Sequence, residues 1–143
     1  MYGKGWIEES LFKKIRQLVP TVSVDILAVN KGKLLIMLRN FEPAKDMWFT
    51  PGGRIRYGET LEQAVLRKLH DETGLKAMRL EKKGVMTHFY PTAHYVTVFF
   101  RVDVEDNKVV LNEEHRAFRW ISGLEDSLHP YVKQMITEAR IFV

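Results

Sequence analysis

The chain contains no cysteine, which excludes disulfides, thiolate nucleophiles and cysteine-ligated zinc. No apolar run approaches the roughly 20 residues that a membrane-spanning helix needs, and the opening MYGKGWIEES has no apolar secretion-signal core. A cytoplasmic protein with no membrane partner is the expectation. The five histidines stand at 70, 88, 94, 115 and 129, without the HExxH spacing of a zinc-protease helix. Basic residues neither cluster nor interleave with stacking aromatics. With 22 Lys+Arg against 18 Asp+Glu, the net charge is +4, which suits a small anionic substrate and is too mild to argue for nucleic acid. Repeats, low-complexity tracts and linkers are also missing, so residues 1–143 read as one domain.

The informative stretch runs from Trp48 to Leu75, WFTPGGRIRYGETLEQAVLRKLHDETGL. It reads as a short strand, a Pro-Gly-Gly turn, an acidic loop and an amphipathic helix. Leu61, Ala64, Val65 and Leu69 recur at helical spacing, Thr60 suits the N-cap, and Gly74 suits the left-handed residue that closes a helix. At about 100° per residue, Lys68 and Glu72 share the core-facing stripe. Two readings stay open. Glu72 pairs with Lys68 at i,i+4 on a half-wet helix, or it points at a divalent metal.

Around this stretch the chain alternates between helical and extended patterns. Residues 7–18 have apolar Ile7, Leu11, Ile15 and Leu18 at helical spacing, ended by Pro20; the stripe belongs on this domain or on a second subunit. TVSVDILAV and KLLIMLR form a hairpin through Asn30-Lys31-Gly32. Asp25 interrupts the first strand, as a capping or solvated residue or as one facing a polar pocket. Arg39 and Arg54 are surface charges or phosphate grips. Two long extended runs are separated by Pro91-Thr92-Ala93, with His88 and Tyr95 packed at the turn, ring nitrogen and hydroxyl satisfied. Glu113, Glu114 and His115 precede a strand at 117–121, and alone they read as a solvated loop. HPYVKQMITEARIF is a closing helix with Tyr131, Met135, Ile136 and Ala139 near helical spacing. The sum is an α/β protein with a mixed β-sheet between helices.

Gly53, Glu59, Arg67, Glu72 and Gly74-Leu75 carry a resemblance to the Nudix box, G-x5-E-x7-R-E-U-x-E-E-x-G-U with U apolar, over residues 53–75. The resemblance implies an α/β/α sandwich and a metal-dependent hydrolase. Two departures stand out. Arg67-Lys68 replaces Arg-Glu, and Asp71-Glu72 replaces Glu-Glu. A lysine among metal-binding carboxylates implies fewer bound metals, because like charges repel, and it speaks against ordinary cleavage at phosphorus.

Outside the box, VSVDILAV, LLIMLRN, THFY, HYV and EEHRAFRW are similar to segments of the GDP-mannose mannosyl hydrolases, from about Pro20 to Trp120. That resemblance implies water attack on the anomeric carbon of GDP-mannose or GDP-glucose, giving GDP and free sugar, with Mg2+ (or Mn2+) as cofactor. It implies His115 as general base. Glu72, Glu114 and the Gly52 carbonyl would be metal ligands. Arg39, Arg54 and Arg67 would lie at the diphosphate and sugar, with Arg39 also assisting catalysis, and Asp25, His88 and Tyr95 would line the sugar pocket. Phe12 is core packing or an aromatic reaching the base across a homodimer, the oligomer the resemblance implies. Two other readings compete: an ordinary Nudix diphosphatase acting on a (d)NTP or NDP-sugar, and a non-catalytic nucleotide-binding module.

Overall fold

The computed structural model describes residues 5–143. Its elements are α1 (Glu9–Leu18), β1 (Thr21–Asn30), β2 (Lys33–Arg39), β3 (Trp48–Phe49), β4 (Gly52–Arg54), α2 (Leu61–Thr73), β5 (Ala77–Tyr90), β6 (Ala93–Val104), β7 (His115–Ile121) and α3 (Pro130–Ala139). The seven strands form one sheet in the order β3-β2-β1-β6-β5, with β4 added to β1 and β7 to β2. β1 and β6 run parallel from Thr21 opposite Tyr95 to Val29 opposite Asp103; the other pairings are antiparallel. The sheet is therefore mixed, as the sequence pattern indicates.

Alternation along β1 explains the layering. Val24, Ile26 and Ala28 pack with Ala64, Val65 and Leu69 of α2, while Leu27 and Val29 pack on the other face with Val132, Met135 and Ile136 of α3. Successive side chains of a strand point to opposite faces, so a strand covered by helices on both sides is apolar throughout. Ser23 and Asp25 are the buried polar exceptions, and Asp25 is the charged one. It lies on the α3 face and is 8% exposed.

The local signals account for the ends of the elements. Thr60 Oγ1 accepts from Gln63 N at 3.0 Å, and Gln63 Oε1 accepts from Thr60 N at 2.9 Å, a reciprocal cap for α2. Gly74 has φ 69°, a conformation open to glycine at little cost. The Pro-Gly-Gly segment is more than a turn. Gly52–Arg54 pair with β1 from Asp25 to Ser23, whereas β1 pairs with β2 only near Val29 and Asn30. β1 thus exchanges one neighbour for another along its length, and the cavity described next lies at that exchange.

Candidate active site

A cavity of about 730 Å3 is walled by the end of β2, the β4 glycines, α1 and the turn ends of β5 and β6. Asp25, Arg39, Gly52, Arg54, Arg67 and Glu114 line it, together with His88 and Tyr95. Residues from five stretches of the sequence are thereby brought to one place. Glu72 and His115 lie behind this wall, 1% and 2% exposed.

Glu72 is on the buried stripe of α2 beside Lys68, as the ion-pair reading expects. Lys68 Nζ stands 3.1 Å from Glu72 Oε2, yet off hydrogen-bond alignment, so that oxygen has no hydrogen-bond partner. Glu72 Oε1 lies 3.4 Å from His115 Nδ1. Burial raises the Glu72 carboxyl to about 7, with the Glu114 charge adding and Lys68 opposing. Burial lowers His115 to about 3, with Arg39 and Lys68 acting in the same direction.

The solvated-loop reading holds for the exposed Glu113 and is corrected for His115, which is buried at the start of a strand. Asn40 N donates to Glu114 O at 3.0 Å and its amide to Glu113 O at 2.9 Å. Asn112 accepts from Glu114 N at 2.9 Å and donates to Asp71 O at 2.8 Å. Two asparagine side chains thus tether the segment to β2 and α2, and β7 begins at His115, opposite Arg39. Both nitrogens of the His115 ring are without a hydrogen bond. Buried polar atoms are nearly always satisfied, so such a ring marks a place for a ligand or water.

On the opposite side, Asp25 Oδ2 accepts from Thr97 Oγ1 at 3.2 Å and lies 3.8 Å from His88 Nδ1. Burial raises Asp25 to about 7, moderated by Thr97 and Arg39. It lowers His88 to about 4, with His129 adding to the effect. His88 Nε2 has no partner, so the satisfied turn-edge ring expected from sequence is also corrected. The ring stacks on Tyr131 at 4.3 Å between centroids, 4° from parallel. Asp25 faces a polar pocket, the sharper of its two readings.

The arginines differ in what holds them. Arg67 forms a fork with Glu59, 2.6 Å from Oε2 and 2.9 Å from Oε1, and donates to Arg54 O at 3.1 Å. That fork pulls Glu59 below the usual carboxylate range and makes Arg67 the brace of the acidic loop. Arg54 donates to Gly5 O at 2.8 Å and lies 4.9 Å over the Phe12 ring, with Arg16 on the same ring at 5.2 Å. Phe12 is consequently in the cavity wall of its own chain. Arg39 Nε donates to Pro43 O at 2.7 Å.

Reading the sequence alone misses Tyr90, Thr50 and the loop residues Phe41, Glu42 and Pro43, all in the cavity wall. Tyr90 was findable: it follows His88 by two on β5 and so shares its face. The loop carries no such signal.

The metal implied by the box was tested against this geometry. Among the described residues, no three His, Cys, Asp or Glu side chains converge. Glu72, whose buried Oε2 has only the Lys68 ammonium beside it, Glu114 and the Gly52 carbonyl remain. Mg2+ is commonly held by one or two carboxylates, waters and substrate phosphates rather than by a full protein cage, so this sparse set fits one such ion. Gly52 must be glycine for the approach itself, because a Cβ would collide with the Val24 carbonyl and sit 2.5 Å from Asp25 Oδ1.

Residues 19–133 match the family described as NUDIX domain. The chain is 32% identical over 126 residues to the low-salt glycan biosynthesis protein Agl8 of Haloferax volcanii, covering 82% of this chain and 81% of that one. It is 35% identical over 106 residues to an ADP-ribose pyrophosphatase of Methanocaldococcus jannaschii, spanning 72% of this chain and 63% of the relative. The crystal structure of a MutT protein from Methanosarcina mazei Go1 superposes with TM-score 0.76 at 25% identity, covering 85% of this chain and 94% of that one. With its box on a capped loop–helix beside a polar cavity, and with these relatives, the chain belongs to the Nudix family of hydrolases.

Proposed function

We propose that the chain is a Mg2+-dependent hydrolase of a nucleoside diphosphate sugar, GDP-mannose or GDP-glucose, that releases GDP and free sugar by attack of water on the anomeric carbon. The observation that carries this reading is Lys68, 3.1 Å from Glu72 where the box has a carboxylate. A site so short of anionic ligands suits neutralising a diphosphate leaving group better than clustering metals to activate water at phosphorus. A relative named for glycan biosynthesis is consistent with a sugar nucleotide. The exposed apolar residues Leu11 and Leu18 on α1 support a homodimer.

In this reading Glu72, Glu114 and the Gly52 carbonyl hold the ion, which when bound offsets the charge developing on the departing diphosphate. Arg39 and Arg54 face the same charge from the cavity wall. Asp25, His88 and Tyr95 form the polar pocket that takes the sugar hydroxyls. His115 directs Nδ1 at Glu72, so Nε2 is the atom that receives a proton from water as the new carbon–oxygen bond forms and the bond to the β-phosphate oxygen breaks.

One observation favours a second reading, attack at phosphorus. His115 is enclosed against Glu72 and does not line the cavity, which suits a ring that orients a metal-binding carboxylate. The two readings separate by hydrolysis of GDP-mannose with Mg2+ in 18O water. Label in the free sugar with unlabelled GDP is the expected result. GMP, sugar phosphate and label on a phosphate would establish the second reading. Under the first reading His115→Ala lowers turnover by at least about a hundredfold with GDP affinity held; a loss below about tenfold would remove its role as base.

A further inference from the structure

We propose that Lys68 is a diphosphate ligand that the bound divalent cation sets free. The inference rests on the reading that Glu72 and Glu114 hold that cation. Without the ion, Glu72 is a buried carboxylate, and Lys68 Nζ at 3.1 Å is its counter-charge. The lysine stem reaches this position across Gly53, where a Cβ would stand 2.8 Å from Lys68 Cε and 3.2 Å from Nζ. The glycine pair of the box thus makes room for the lysine as well as for β1.

A divalent cation on Glu72 takes over the charge that holds the ammonium and repels it. Lys68 already lines the cavity, and its side chain retains 16% of its exposure, so the released ammonium has open space on the diphosphate side. Four rotatable bonds make that movement a matter of side-chain torsions alone. Arg67 has no such freedom, being committed to Glu59 and the Arg54 carbonyl. Lys68 then supplies to the diphosphate the positive charge that a second metal would otherwise bring. Metal and nucleotide are coupled through one side chain: the ion strengthens the diphosphate site by displacing the lysine from the metal site.

The test is calorimetric affinity for GDP and for ADP, with and without Mg2+, in the wild type, Lys68→Met and Lys68→Gln, beside Mn2+ affinity by electron paramagnetic resonance on the nucleotide-free proteins. With saturating Mg2+, Lys68→Met is expected to weaken diphosphate binding by at least about tenfold, while without Mg2+ the change stays below about threefold. Mn2+ binding to both nucleotide-free variants should tighten, because a competing cation has gone. Lys68→Gln, which keeps a donor for Glu72, controls for loss of the fold and should show the same nucleotide pattern. Unchanged affinity with Mg2+ in both variants would overturn the inference and leave Lys68 as a counter-ion. Lys68-dependent binding of ADP without binding of GDP would refute the guanosine reading and keep the inference; binding of neither would overturn both.

Discussion

Asp25 on β1 and His88 on β5 face each other as a buried pair, each held against its own charge. Both are buried, and burial moves them in opposite directions, Asp25 up to about 7 and His88 down to about 4. Between pH 3.8 and 7 the folded Asp25 holds a proton that the unfolded chain releases, so its contribution is full at low pH and is lost as pH rises. Between pH 6.5 and 4 the unfolded His88 holds a proton that the folded chain excludes, so its contribution is full above pH 6.5 and is lost as pH falls. Asp25→Asn removes the first effect and retains the Thr97 contact as an amide. Thermal melts should therefore show the variant more stable than wild type by at least about 3 °C at pH 8, with little difference at pH 5. Equal melting points at pH 8 would mean that Asp25 is not held against its own charge. Glu72 gives a second prediction at this scale. Glu72→Gln should abolish most of the Mg2+ dependence of nucleotide binding, since an amide is a far weaker ligand for Mg2+ than a carboxylate; unchanged Mg2+ titration would remove Glu72 from the metal site.

At the scale of elements, the segment between β2 and β3 carries no periodic signal in the sequence. Its anchor is Arg116 on β7. One guanidinium donates to Arg39 O and Asn40 Oδ1, both at 3.0 Å, and to Asp46 Oδ1 at 2.6 Å. The backbone closes the same segment, Asp46 N to Arg39 O at 3.0 Å and Met47 N to Ala44 O at 3.1 Å. Arg116 thereby ties both ends of the segment that carries Pro43, the acceptor for Arg39, to the strand that begins at His115. Arg116→Ala should cost only about 1 kcal/mol of stability, because the pair is exposed. It should nonetheless weaken GDP binding at least about fivefold by releasing Arg39, and Arg116→Lys should recover the stability more fully than the affinity, since a lysine cannot form the three-way fork. A variant with wild-type affinity would show that the backbone bonds of the segment and the Pro43 carbonyl hold Arg39 without Arg116. The contrast with α2 is instructive. Its cap, its stripe and its closing glycine were all legible, because helix signals are local and lie within a few residues of one another. The layered fold followed from the order of helical and extended patterns along the chain. Arg116 and the burial of His115 depend on chain segments brought together across 70 residues or more, or on asparagine tethers that look like any polar loop. Those are tertiary facts, and no periodicity encodes them.

On the scale of the whole molecule, α1 is the element whose reason for folding lies outside the sheet's cores. None of its residues is buried. An isolated helix of 10 residues is marginal in water, so something else must hold it. Part of the answer is the cavity wall: Phe12 meets the Arg54 guanidinium, and Arg54 donates to Gly5 O just before the helix. The remainder is apolar surface. Leu11 is 52% exposed and Leu18 80% exposed; seven residues apart, they lie on one side of the helix. Val19 and Val22, just after the helix, are also exposed, at 51% and 41%. A second copy of the chain presenting the same patch would cover it in an isologous contact. Sedimentation equilibrium is expected to give a dimer for the wild type and a monomer for Leu11→Glu/Leu18→Glu. Because neither leucine belongs to a core cluster, the two proteins should melt, under conditions where both are monomeric, within about 3 °C of each other. A wild-type monomer, or a variant that still dimerises, would separate α1 from the oligomer and leave the Phe12–Arg54 contact as the anchor of the helix.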